Sequence, residues 1–317
     1  MVERLTVSSS PHIRSENTTQ KIMLDVVIAL LPATIAAIFF FRSNAAILIA
    51  LSIATALATE LIIQKIRRHP VTINDFSAVI TGLLLALNIP ASAPWWIPVI
   101  GSAFAIGIVK QLFGGIGQNF MNPALAARIF LTLSFTGPMT GWIKPGADAV
   151  TGATPLSFVK GATALPANAP SLFDIGFGNI AGSMGETSAI LLALGGLYLI
   201  YRGVISITIP GIFIGTVAII TFIYGQFDLQ FMLYHVLSGG LFIGAIYMAT
   251  DYASSPITKK GRIIFALGCG IITAMIRIFG AYNEGVGFAI LLMNVAAPLI
   301  ERFTSPRVFG EVNKQNA

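Results

Sequence analysis

Charge is what this chain has least of. Only 10% of its residues are charged, with 13 acidic and 19 basic side chains in 317. A soluble domain carries about 25%, so most of this surface does not face water, and the soluble globular classes are excluded. Cysteine is nearly absent. Cys269 stands alone inside an apolar run; one thiol forms no internal disulfide and cannot by itself hold an iron–sulfur cluster. It reads as a small packing residue. No glycine fingerprint of a nicotinamide-binding fold follows a strand. No alternating barrel pattern is present. No cleavable signal peptide is apparent, because the N-terminus is polar and the first apolar run is long enough to span. The net charge of +6 does not point to nucleic acid, since the basic residues fall in short clusters between apolar runs, as membrane loops require.

What the chain has in abundance is apolar length, at 55% hydrophobic residues. Apolar runs lie at roughly 22–41, 45–64, 72–89, 95–113, 121–137, 188–202, 204–224, 231–250, 263–280 and 285–301. Each is near the roughly 20 residues that cross a bilayer as a helix, the one open-ended structure that satisfies its own backbone there. The expectation is an all-α polytopic membrane protein of ten transmembrane helices, with both termini on one side. With the termini inside, fourteen lysines and arginines fall on the inner side against three outside, Arg42, Lys144 and Lys160, while Arg128 and Arg277 fall within spans. That asymmetry makes the inner side cytoplasmic. The organisation expected is a cytoplasmic arm 1–21, a first repeat 22–137, an outer loop 138–187, a second repeat 188–302 and a cytoplasmic tail 303–317. Spans three and eight both carry a hydroxyl–glycine pair (Thr81-Gly82, Ser238-Gly239), and spans five and ten both carry asparagine near a proline (Asn122-Pro123, Asn294 with Pro298). Five spans per half is odd, so the two repeats must be inverted. Glycine, proline and serine are also common in membrane helices generally.

Candidate chemistry sits in the outer loop, in Asp148-Ala149-Val150-Thr151-Gly152-Ala153-Thr154-Pro155-Leu156. Thr154 precedes proline and is biased to an extended backbone that presents its hydroxyl; Gly152 lets another segment come close. The local pattern alone fits a turn and a helix cap. Gly114-Gly115-Ile116-Gly117-Gln118-Asn119 reads first as a tight re-entry loop and second as a backbone approach to a phosphate or ring. Thr187 or Ser188 fits a cap for span six, with Glu186 at the positive end of its dipole. Gly240 and Gly244 permit close helix contact. Charges in or near spans are functional candidates because they are expensive there. Asp75, Asp251 and Glu284 also fit the membrane interface, Asp25 and Glu60 lie nearer spans, Arg128 has the depth to pair with a carboxylate, and Arg277 has the reach to snorkel outward. No acidic cluster marks a six-oxygen cation cage. His12 has no partner histidine or cysteine nearby and reads as solvated or docking. On architecture alone a transporter or channel comes first.

The motif Asp-x-x-Thr-Gly-Ala-Thr at 148–154 resembles the acceptor sequence of flavin transferases, which join FMN by a phosphoester to the final hydroxyl. In a polytopic membrane protein, Thr-Gly-Ala-Thr-Pro-Leu is similar to the RnfD component of the Rnf electron-transport complex, and to its relative, the NqrB component of the sodium-pumping NADH:quinone reductase. Ser-Pro-His-Ile-Arg-Ser at 10–15, Gly-Gln-Asn-x-x-Asn-Pro-Ala at 117–124, Met-Ala-Thr-Asp-Tyr at 248–252, Glu-Gly-Val-Gly-Phe-Ala-Ile-Leu-Leu-Met-Asn at 284–294 and Ala-Pro-Leu-Ile-Glu at 297–301 extend the resemblance over nearly the whole chain, and the short N-terminal arm favours the Rnf branch. The resemblance implies an electron relay in a complex that moves electrons between reduced ferredoxin and NAD, coupled to sodium or proton translocation. It implies FMN on Thr154, a recognition sequence of Asp148, Thr151, Gly152 and Ala153, and a flavin transferase as maturation partner. It implies further subunits that handle NAD and ferredoxin, residence in a bacterial or archaeal cytoplasmic membrane with the flavin outside, and, by analogy with the relative, room for a non-covalent riboflavin. The alternatives at this point are the quinone-reductase component and a flavin-free transporter.

Overall fold

The computed structural model describes residues 18–146 and 152–305. Among these the chain is helical, with no strand and one isolated bridge between Pro90 and Ser183. The helices are α1 (Thr19–Ile66), α2 (Ser77–Leu87), α3 (Trp96–Phe104), α4 (Pro123–Ser134), α5 (Thr136–Met139), α6 (Pro155–Val159), α7 (Leu172–Phe177), α8 (Ala189–Tyr201), α9 (Thr208–Tyr224), α10 (Leu229–Leu237), α11 (Leu241–Ile243), α12 (Lys259–Phe279) and α13 (Val286–Thr304). π-helical turns extend α3 over Ala105–Gln111 and α11 over Gly244–Met248.

Several helices begin where the sequence supplies a cap. Asn122 accepts from the Leu125 N–H at 3.2 Å with Pro123 in the first turn, Ser188 accepts from Leu191 at 3.2 Å, and Thr258 accepts from Gly261 at 3.0 Å. Each side-chain oxygen satisfies an N–H that the helix cannot reach. Ser188 is thus the cap of the sixth apolar run. The third run is shorter as a helix than its apolar length: it opens with a 3₁₀ turn at Ile73–Asp75, and Asp75 turns back to accept from both the N–H and the hydroxyl of Ser77 at 2.8 and 2.6 Å.

By length and apolarity α1, α12 and α13 each suffice to cross a membrane, and α10 with α11 and its π turn passes the same test as a broken span bent by 63°. α2, α4, α8, α9 and α3 with its π turn are shorter apolar helices. The outer faces of these helices carry large apolar side chains such as Ile35, Phe39, Leu197, Ile219 and Phe279. A helix apolar on all sides belongs inside a protein or a membrane. This is a multi-pass membrane protein.

α1 has 48 residues. Straight, it would run about 72 Å. Thr19 and Ile22 at its start nevertheless line the same cavity as Lys110, and Lys110 pairs with Glu60 near its end. The two ends therefore meet, and the chain doubles back at Arg42, whose φ of 53° and ψ of −136° leave the helical range. The reversal falls in the gap between the first two apolar runs.

Packing ties the two halves together. α1 lies against α2, α3 and α8, α9 against α12, α12 against α13, and α13 crosses to α4. Gly82 allows a close approach of α1 and α2: a Cβ there would stand 2.9 Å from Ile53 Cα and 3.0 Å from the Ser52 carbonyl oxygen. The Ser52 hydroxyl donates to the Gly82 carbonyl at 2.6 Å and meets Ser102 Oγ at 2.9 Å. Asn122 and Asn294, matched by position in the two halves, touch: the Asn122 N–H donates to Asn294 Oδ1 at 3.3 Å. Gly240 and Gly244 do serve packing, since a Cβ on either would run into Glu284 or Val286. A small separate core under the loop joins Leu156, Val159, Ile175, Ile180, Phe231 and Tyr234.

Candidate functional site

Thr154 caps the short helix α6 with an extended backbone (φ −68°, ψ 152°), as a residue before proline should, yet its side chain makes no capping bond. The capping geometry runs through its carbonyl, which accepts from the N–H and the hydroxyl of Ser157 at 2.9 and 2.6 Å. Thr154 Oγ1 is buried and has no hydrogen-bond partner among the described residues. Gly152 fits its close-approach role: its N–H donates to the Trp142 carbonyl at 2.6 Å, and a Cβ would lie 2.8 Å from Ala181 Cβ. Ala153 is exposed. Asp148 and Thr151 lie outside the described residues.

Thr154 lines a cavity of about 220 Å³ that also takes in Arg128, Glu186, Glu284, Trp142, Tyr282 and Phe288. These come from α4, the turn before α8, the α12–α13 connection, the outer loop and α13, segments up to 160 positions apart in the numbering. Arg128 organises the polar side. Its guanidinium donates to Asn88 Oδ1 at 2.9 Å, is in direct contact with the Glu284 carboxylate, and stands 3.9 Å from Glu186. Glu284 also accepts from the Gly240 N–H at 2.5 Å, in the break between α10 and α11. One cation thus serves two carboxylates, and the nearer carboxylate takes the charge. Burial alone would raise Glu284, but the charge and hydrogen bond of Arg128 win and lower it. Burial, then the Glu284 charge, push Glu186 up to about 8 against the weaker pull of Arg128.

Two expectations about charges change. Arg277 does not snorkel: it is 2% exposed and donates inward to the carbonyls of His235 and Ser238, because the break after α10 leaves those carbonyls without helical partners. Glu284, which the sequence also fits to the membrane interface, lies in the α12–α13 connection and is the counter-ion of Arg128. Local patterns carry no signal for either.

A second cavity, of about 270 Å³, holds no described residue of the 148–154 motif. Asn119, Asn122, Asp251, Ser77 and Lys110 border it, so the Gly-Gln-Asn and Ala-Thr-Asp-Tyr segments meet there. Asp251 accepts from Asn119 at 3.2 Å and from Ser254 at 3.0 Å. Lys110, expected among the inner-side cations, is only 3% exposed and pairs with Glu60 at 2.8 Å. Asp25 is tied to Tyr198 at 2.8 Å and to Arg202 at 3.2 Å. Among the described residues no three histidine, cysteine or acidic side chains gather as a metal site.

Fold and site together define a helical multi-pass membrane protein in which Thr154 lines a charged, aromatic-walled cavity. The chain belongs to the NQR2, RnfD, RnfE family, whose profile matches residues 6–310. It is 53% identical over 309 residues, 96% of this chain and 95% of the relative, to the D component of the Na(+)-translocating ferredoxin:NAD(+) oxidoreductase complex of Acetobacterium woodii. It is 46% identical over 317 residues, 96% of each chain, to the D component of the proton-translocating ferredoxin:NAD(+) oxidoreductase complex of Clostridium ljungdahlii. It is 40% identical over 328 aligned positions, 93% of each chain, to the D component of the ion-translocating oxidoreductase complex of Stutzerimonas stutzeri.

Proposed function

We propose that this chain is the D component of an Rnf-type ion-translocating ferredoxin:NAD oxidoreductase, a membrane electron relay that carries FMN as a phosphoester on Thr154. The other subunits bind NAD and ferredoxin, a flavin transferase attaches the FMN, and electron flow is coupled to sodium or proton translocation. The proposed topology is ten crossings in two inverted halves, with the termini in the cytoplasm and the 138–187 loop outside. The doubling back of α1 at Arg42 supports the count by dividing that segment into two helical crossings. The Asn122–Asn294 contact supports the inverted pairing.

The observation that carries the cofactor assignment is the Thr154 hydroxyl. It caps nothing and has no partner among the described residues, and Thr154 itself lines the cavity that holds Arg128 and three aromatic rings. Those residues suit FMN: a free hydroxyl for the ester, a guanidinium for negative charge, and Trp142, Tyr282 and Phe288 as apolar walls. FMN supplies one- and two-electron redox chemistry; the protein supplies position and environment. Thr154 serves as an anchor, Gly152 brings its segment against Trp142 and Ala181, and Arg128 holds a positive charge in the wall through Asn88 and Glu284.

The test is in-gel flavin fluorescence after denaturing electrophoresis of protein made in its native host, with peptide mass mapping. The expected result is a fluorescent band whose modified peptide contains Thr154, and a dark band for Thr154→Ala. A fluorescent Thr154→Ala band would place the attachment elsewhere. A dark, unmodified wild-type band would remove the covalent FMN and its electron-relay role.

A further inference from the structure

We propose that Glu186 is the proton-exchanging group of the outer cavity: it keeps a proton when the cavity gains one negative charge and releases it when that charge leaves. The inference rests on the flavin reading only for the source of that charge, one electron per turnover delivered by a one-electron donor. In the balanced step one electron enters the cavity's redox group and one proton from the outer water joins the Glu186 carboxylate, forming its O–H bond. Oxidation reverses both.

The geometry is one cation shared by two acids. Arg128 contacts Glu284 directly and reaches Glu186 only at 3.9 Å, and all three line the cavity with Thr154. Two carboxylates beside one guanidinium cannot both ionise without cost, and the more distant one keeps its proton. Glu186 is also the more buried of the two, its side chain 4% exposed against 16% for Glu284, and desolvation favours the neutral form. The charges facing it are Arg128 from α4 and Glu284 from the α12–α13 connection, with Arg277 of α12 acting at longer range. Arg277 is committed to the carbonyls of His235 and Ser238 and does not compete as a partner. Ser183 hydrogen-bonds Glu186 within its own turn. From α2, packed against the same turn, the polar group at the site is Asn88, which is occupied by Arg128.

The experiment measures the reduction potential of the attached flavin against pH in the purified holoprotein, for wild type, Glu186→Gln and Glu284→Gln. Glu186 titrates at about 8. Below that pH both redox states hold the proton and Glu186 adds no slope. Above it only the reduced state does, so wild type should gain an extra slope of one proton per electron, a tenfold change in equilibrium constant per pH unit. Glu186→Gln should lose that extra slope while keeping its flavin. Glu284→Gln leaves Arg128 to Glu186 alone and should move the break to lower pH, which keeps the idea testable if Glu186→Gln does not fold. A break unchanged in loaded Glu186→Gln overturns the proposal. The second readout needs no flavin. The infrared carboxyl band of Thr154→Ala should titrate near the same pH and be missing from the Glu186→Gln/Thr154→Ala double variant. No titrating band overturns the proton-holding role even if the flavin reading stands, whereas a titrating band in a protein that never carries flavin sinks the flavin reading alone.

Discussion

Replacing Lys110 by methionine isolates the energetics of the buried charge at the other cavity. The lysine ammonium lies 2.8 Å from Glu60 Oε1, and the two side chains are 4% and 1% exposed. At that separation the gross attraction is about 6 kcal/mol for an effective dielectric of about 20, and desolvation of both ions offsets much of it. Methionine keeps the length and apolar volume of the stem and removes the charge. Glu60 would then keep only the amide donors of Gln111 at 2.8 Å and Gln64 at 3.4 Å, with Oε2 still unpartnered. Ser77 Oγ would lose a donor at 2.6 Å. Stranding one buried charge costs about 3–5 kcal/mol. Lys110→Met is therefore expected to lower unfolding stability in mixed micelles by about that amount, and Lys110→Met/Glu60→Gln to recover most of it. The four proteins form a double-mutant cycle whose coupling energy is the measurement. A single variant within about 1 kcal/mol of wild type, or a double variant no better than the single, would refute the buried-pair reasoning.

Gly82→Ala is expected to destabilise by about 1–3 kcal/mol, the usual penalty of overpacking, because the new methyl would meet the backbone of Ile53 and Ser52; an unchanged melting temperature would mean α1 and α2 do not approach so closely. Asp174 gives a pH effect outside the spans. The Ser171 hydroxyl, with Asn179 and Lys144, outweighs a small burial effect and lowers its carboxyl. A lowered carboxyl contributes stability that is present above its unfolded pKa and lost as pH falls through the folded one. Asp174→Asn should remove that acid-side loss for the α7 segment, read as protease resistance against falling pH; identical acid profiles would contradict it.

Helix content, a chain reversal between the first two apolar runs and the cap at Ser188 were legible in the chain itself. Each rests on local chemistry: apolar length, a polar gap, or a side-chain oxygen within reach of the next turn's N–H. The extended backbone of Thr154 was legible too, since a residue before proline takes that conformation whatever surrounds it, whereas the burial of its hydroxyl was not. Partnership was not. Arg128 and Glu284 are 156 positions apart, and Arg128 serves Asn88, Glu284 and Glu186 from three different segments. Hydropathy placed Lys110 among solvated inner-side cations and let Arg277 reach outward. Packing of α3 against α1 buried the first beside Glu60, and the break after α10 gave the second two carbonyls to bind. The amino-acid order by itself determined which segments are helical and where the backbone is extended before Pro155, because backbone preference and apolar length act within a few turns. Only the tertiary structure decided which charges neutralise one another and that Thr154 lines a charged cavity, because those depend on which helix faces meet.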